Sequence, residues 1–189
     1  MPRFYDLCIS EKSDEVLEKM QDLGWNVNPN LETVFLEADN WGELKRKIGE
    51  NRKKADVLAF KGGDEKLNRK AVEDSRIDVL LHPEKGRKDS GFNHVLAKEA
   101  SKNQVALGLD FKMLATSNKT RSHIFRHWQR NLMLCEKYDA PYIITSSAEE
   151  KFDLRAPRDL ASLIESLGYE GRKAISNYPR NIVERGETE

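Results

Sequence analysis

The sequence predicts an α/β fold built on a parallel sheet. Three observations carry that expectation. Six apolar runs of four to six residues alternate with stretches of helical periodicity. Most of these runs are continuously apolar rather than alternating, as in strands buried on both faces. Between Ile77 and Asp110 the chain reads strand, loop, helix, strand, which requires a parallel pair with a right-handed crossover.

The elements follow in order. Phe4–Ile9 reads as the first strand. Ser13 suits the N-cap of a helix that runs to Leu23 and stops at Gly24. Trp25 to Asn30 is irregular, and Thr33–Ala38 is the second strand. Asn40 with Glu43 resembles a capping box and opens a helix through Lys54. Val57–Phe60 is the third strand, ended by Lys61-Gly62-Gly63-Asp64, with a helix to about Ser75. Ile77–Leu81 is the fourth strand, stopped at His82-Pro83 because proline cannot donate to a ladder. Asn93 to Asn103 is helical and Val105–Leu109 is the fifth strand. Thr120 to Tyr138 is the clearest helix, and Pro141 leads into the sixth strand, Tyr142–Thr145. Pro157 begins a helix to Leu167, followed by Gly168, and a short helix is expected over Arg172–Ser176. Residues 1–179 therefore read as one domain. From Arg180 the chain is polar, and 180–189 is expected to fray.

Composition excludes several classes. The 189 residues carry 32 acids and 32 bases, so any basic surface must come from segregation of charge. No apolar run approaches the length of a membrane span, and Met1-Pro2-Arg3-Phe4 lacks the apolar region of a secretory signal. Two cysteines in apolar settings, Cys8 and Cys135, suit reduced, buried thiols in a cytoplasmic protein and are too few for a cysteine-type zinc site.

Charge does segregate in two places. His82, Lys85, Arg87 and Lys88 fall within ten residues of Gly86, Ser90 and Gly91, in the loop after a strand end where α/β folds build sites. Cations, small residues and the start of a helix suit a phosphate group; a solvated turn is the alternative. On the Thr120–Tyr138 helix, Ile124, Trp128, Leu132 and Cys135 share one side, and Lys119, His123, Arg126, His127, Arg130 and Lys137 fall opposite. Between Lys112 and Lys137 six Lys or Arg face a single acid, Glu136.

Catalytic motifs are weak by comparison. His123 and His127 stand four apart, but Ile124 occupies the place of a general base in a His-Glu-x-x-His site, and Arg126 and Arg130 repel a cation. His82 with Asp110 offers two ligands at most, and the first apolar run contains no His-x-His pair. Ser146-Ser147 lacks a nucleophile elbow, and Gly62-Gly63 is neither a dinucleotide fingerprint nor a P-loop. Trp25, Trp41 and Trp128 read as packing residues.

Several segments together carry a resemblance. They are Lys61-Gly62-Gly63-Asp64; Val79-Leu80-Leu81-His82-Pro83; Gly86-Arg87-Lys88-Asp89-Ser90-Gly91-Phe92-Asn93-His94; Asn131-Leu132-Met133-Leu134-Cys135 with Lys137-Tyr138; Thr145-Ser146-Ser147-Ala148; and Leu154-Arg155-Ala156-Pro157-Arg158. The chain resembles the ribonuclease P protein component 3 family, the archaeal form of the thirty-kilodalton subunit. The resemblance implies a TIM-like barrel, incomplete or distorted, since six runs are found where eight strands close the usual ring. It implies a non-catalytic subunit that binds and stabilises the RNA which removes the 5′ leader from precursor tRNA. It further implies a partner, ribonuclease P protein component 2, with two copies of each, alongside other ribonuclease P proteins and indirect contact with precursor tRNA. Magnesium is then used by the RNA subunit and no cofactor by this chain. The family's fold is also similar to the polymerase and histidinol phosphatase group, so a metal-dependent phosphoesterase is the alternative function.

Lys and Arg neutralising phosphates supply the physical basis for RNA binding. The candidates are Lys61, His82, Arg87, Lys112, Arg121, Arg126, Arg130, Arg155 and Arg158. Arg121 falls nearer the apolar side and has packing or helix capping as an alternative. Arg155 and Arg158 have surface pairing with Glu149, Glu150 or Asp159 as theirs.

Overall fold

The computed structural model describes residues 3–117 and 120–186. Lys119 of the helix stripe, Met1 and Pro2, and the last three residues of the expected tail lie outside the described residues.

Five parallel strands pair in sequence order: β1 (Thr33–Leu36), β2 (Val57–Lys61), β3 (Val79–Leu81), β4 (Ala106–Asp110) and β5 (Tyr142–Thr145). Helices α1 (Asp14–Leu23), α2 (Trp41–Asn51), α3 (Glu65–Glu73), α4 (His94–Asn103), α5 (Phe111–Thr116), α6 (Arg121–Tyr138), α7 (Pro157–Ser166) and α8 (Tyr178–Gly186) fill the connections and the end, with a π-helix at Lys173–Asn177 before α8. Local chemistry sets the boundaries. Gly24 ends α1 with φ +91°, and the side chains of Asn40, Asp64, Asn93 and Asp110 cap α2 to α5 by accepting from backbone N–H groups one turn on.

Each strand divides its side chains between two apolar layers. Leu58, Phe60, Leu80, Leu107 and Ile144 pack with the surrounding helices. Val57, Ala59, Val79, Leu81, Ala106 and Ile143 face a smaller layer completed by Tyr5, Leu7, Cys8, Ile182 and Val183. Burial on both faces explains the continuous apolar runs.

Two expectations need correction. Tyr5–Ile9 is buried, but no strand forms over Phe4–Ile9, and the sheet has five strands, not six, among the described residues. The segment spends its polar groups on both edges of the sheet instead. Leu7 O accepts from Thr33 Oγ1 in β1, while the Asp6 carboxylate accepts from Thr145 Oγ1 (2.5 Å), Ser146 N (2.9 Å) and Ser146 Oγ (2.6 Å) at the end of β5. It stands between the first and last strands, and the ring of strands does not close among the described residues. The expected fraying from Arg180 also fails, as far as Gly186. Ile182 and Val183 are buried, and Arg185 pairs with Asp78, which is 1% exposed. Two apolar residues amid charges escape a composition argument, yet they share a helical face with Tyr178 and Pro179.

Candidate nucleic-acid interface

The loop between β3 and α4 is built rather than loose. It leaves β3 through His82, whose φ of +51° is costly outside glycine. His82 Nε2 lies 3.1 Å from Asp110 Oδ2 at the end of β4. The loop returns over itself at Gly91, with φ +63°, where a Cβ would meet Pro83 O at 1.8 Å. Asn68 of α3, fully buried, holds both ends. Its Nδ2 donates to Pro83 O (2.9 Å) and Gly91 O (3.1 Å), and its Oδ1 accepts from Gly63 N (2.9 Å). A second asparagine, Asn131 of α6, donates to Ser90 O at 3.1 Å and ties the loop to the helix carrying the basic stripe.

Between this loop, the start of α4 and α6 lies a cavity of about 360 Å³. Arg87, Lys88, His123, Arg126, His127 and Arg130 all line it. Its acids, Asp89 and Glu65, both engage Arg87, at 2.7 Å and 3.5 Å. Lys88, Arg126 and Arg130 make no ion pair among the described residues. The cavity therefore has an excess of positive charge beside a capped helix start. The bonds from Arg87 hold the Asp89 carboxyl down at about 2. Burial, then the neighbouring His123, lowers the His127 pKa, so His127 favours the neutral form. Burial raises the Glu84 carboxyl on the far side of the loop.

Of the nine candidates, the structure brings together Arg87, Arg126 and Arg130. Lys61 at the end of β2 pairs with Glu37 at 3.1 Å and lies over the Phe35 ring. Lys112 bridges Asp153 (2.8 Å) and Glu149 (2.9 Å). Arg121 donates to Leu114 O and Ala115 O, so it holds the end of α5. Arg155 donates to Phe152 O and Leu154 O and stacks 5.1 Å from the Phe111 ring centroid. Arg158 is exposed on the first turn of α7. Neither Arg155 nor Arg158 pairs with an acid among the described residues, since Glu149 serves Lys112. Lys88, His123 and His127, which the sequence places in the basic loop and on the helix stripe but not among the nine, also line the cavity. For Lys88, its neighbours Gly86 and Arg87 were the available signal.

Among the described residues no group of three His, Cys, Asp or Glu converges. The His82–Asp110 pair is two groups, and the Asp110 carboxylate also caps α5 through Met113 N. No described helix is long and apolar enough to cross a membrane.

Comparison with known proteins gives the context. The family model described as RNase P subunit p30 matches residues 30–189. Ribonuclease P protein component 3 of Methanococcoides burtonii is 45% identical over 157 residues, which cover 81% of this chain and 65% of that protein. The protein of the same name from Thermococcus kodakarensis is 33% identical over 209 residues, covering 96% of this chain and 94% of its own length. A chain of the cryo-EM structure of archaeal ribonuclease P with mature tRNA superposes with a TM-score of 0.77 at 30% identity, over 98% of this chain and 80% of that one. These matches favour a ribonuclease P subunit over a phosphoesterase. With a family model spanning most of its length and relatives at a third to nearly half identity, the chain belongs to the RNase P subunit p30 family.

Proposed function

We propose that this chain is the protein subunit that binds and stabilises the catalytic RNA of an archaeal ribonuclease P, the ribonucleoprotein that removes the 5′ leader from precursor tRNA. The observation that carries the reading is the cavity where Lys88, Arg126 and Arg130 meet two histidines with no acid of their own. Such a cluster gains by neutralising RNA phosphates and releasing counterions. The chain supplies no reacting group. Magnesium acts on the RNA subunit, and this chain requires no cofactor. Its partners are ribonuclease P RNA, protein component 2 with two copies of each, and the other ribonuclease P proteins; precursor tRNA is met indirectly. The assembly works in the cytoplasm. Lys61, His82, Lys112, Arg121, Arg155 and Arg158 contribute weaker or structural contacts, since all but Arg158 already have protein partners.

Reconstitution tests this. The chain is mixed with ribonuclease P RNA and component 2, and precursor-tRNA cleavage is followed at moderate magnesium with and without it. Cleavage that needs the RNA and is stimulated by this chain supports the reading. Chelator-sensitive phosphoester cleavage by the chain alone overturns it.

A further inference from the structure

The basic cavity has a neighbour. Beside it lies a second cavity of about 560 Å³, reaching Glu84, Lys85, Met113 and Ile124. Arg87, Lys88, His123 and His127 line both cavities and so mark where the two meet. Each side combines apolar and polar surface: Phe92 and Leu96 with Asn93 in the first, Met113 and Ile124 with Lys85 in the second. The Asn93 Oδ1 is engaged in capping α4, which leaves its side-chain NH₂ for a ligand. Both volumes fall within the roughly 300–1,000 Å³ typical of small-molecule sites.

We propose that this paired cleft takes two consecutive unpaired nucleotides of an RNA strand, one nucleoside in each cavity, with the phosphodiester between them on the shared wall of Arg87, Lys88, His123 and His127. The inference rests on the RNA-binding reading above and deepens it by naming the kind of RNA that is bound. Its logic is one of shape. A duplex keeps its base faces stacked and presents backbone and base edges, so it has no free base to place in two concavities with apolar linings. A single-stranded loop or bulge can splay its bases out while its phosphate stays between them. The charge is arranged to match. Lys88 of the wall has no acid partner among the described residues. Arg87 is braced by Asp89 and Glu65, which fixes the guanidinium at the wall. Arg126 and Arg130 lie in the first cavity only, where they reach the next phosphate along the strand.

The test uses the full chain with four probes: the dinucleotide UpU, inorganic phosphate, a short blunt RNA duplex and a single-stranded oligouridylate of equal length. The imidazole resonances of His123 and His127 report occupancy of the wall, and anisotropy of labelled RNA reports affinity at fixed salt. UpU is expected to move both histidine signals more than phosphate does, and oligouridylate to bind at least about tenfold more tightly than the duplex. Met113→Trp, which fills the second cavity without changing charge, is expected to erase that preference. Lys88→Ala, at an exposed position, is expected to weaken both RNAs. Equal binding of duplex and single strand overturns the proposal, as does a phosphate response equal to that of UpU. Either result leaves the subunit reading intact, because that reading is decided by precursor-tRNA cleavage in the reconstituted assembly.

Discussion

Asn68 and Gly91 are joined across 23 residues by a 3.1 Å hydrogen bond from the asparagine side chain to the glycine carbonyl. The same amide holds Pro83 and Gly63, so one buried side chain sets the path of the loop that lines both cavities. Asn68→Ala is expected to cost on the order of 3 kcal/mol, because buried backbone groups lose their partner. Urea denaturation measures the loss. Weakened RNA binding at temperatures where the variant remains folded would show that the loop has moved.

Arg126→Glu with Arg130→Glu is expected to weaken RNA binding while leaving the circular dichroism spectrum unchanged. Each lost phosphate contact should lower the slope of log K against log salt by about 0.7 to 0.9. An unchanged slope would remove the α6 stripe from the interface.

Asp78 is buried beneath both Arg52, at 2.7 Å, and Arg185. Arg52→Ala is expected to destabilise by about 1.5–3 kcal/mol, since the buried Asp78 loses one charged hydrogen bond and keeps Arg185. Arg52 also donates to the carbonyls of Ala55, Asp56 and Arg76, so its loss should exceed that of Arg185→Ala, measured by chemical denaturation.

Burial raises the pKa of Asp6, against the pull of its bonds from Ser146 and Thr145. A raised carboxyl binds its proton more tightly in the folded chain. Its contribution is thus complete below the ordinary value of 3.8 and is lost as pH rises through the folded value. Wild type should therefore gain stability on acidification relative to Asp6→Asn, which a series of denaturation midpoints across pH would reveal.

Asp89 shows the opposite sign. Held at about 2 by Arg87, it contributes above 3.8 and loses that contribution as pH falls through about 2. The pair is largely exposed on the Asp89 side, so the effect on stability is small. Arg87→Ala should raise the Asp89 carboxyl toward its ordinary range in an NMR titration, with the bond from Gly91 N still holding it down in part.

The α/β class and most of the element order were legible because burial on both faces of a parallel sheet writes itself as continuous apolar runs. Phe4–Ile9 carries the same pattern, but burial is all the pattern reports; partners decide whether a buried segment joins a ladder, and those of Asp6 lie 139 and 140 residues away. The site was legible as residue types. Lys61 and Lys112 looked as free as Arg126 in sequence, because their partners Glu37 and Asp153 are acids that only the fold brings near. The loop's glycines were visible; the Asn68 that fixes them was not, since an asparagine inside a helix reads as a surface residue.

The seat of Phe4–Ile9 between the two sheet edges bears on the order of folding. Tyr5 N donates to Ile175 O, and Asp6 waits for Thr145 and Ser146. During synthesis from the N-terminus, this segment leaves the ribosome long before any of those partners exists. Contacts of such sequence separation form late, after loop closure has been completed by the strands between. The five-stranded sheet and its helices therefore assemble around a vacant slot, and a segment made before its partners at Thr145, Ser146 and Ile175 is among the last to settle.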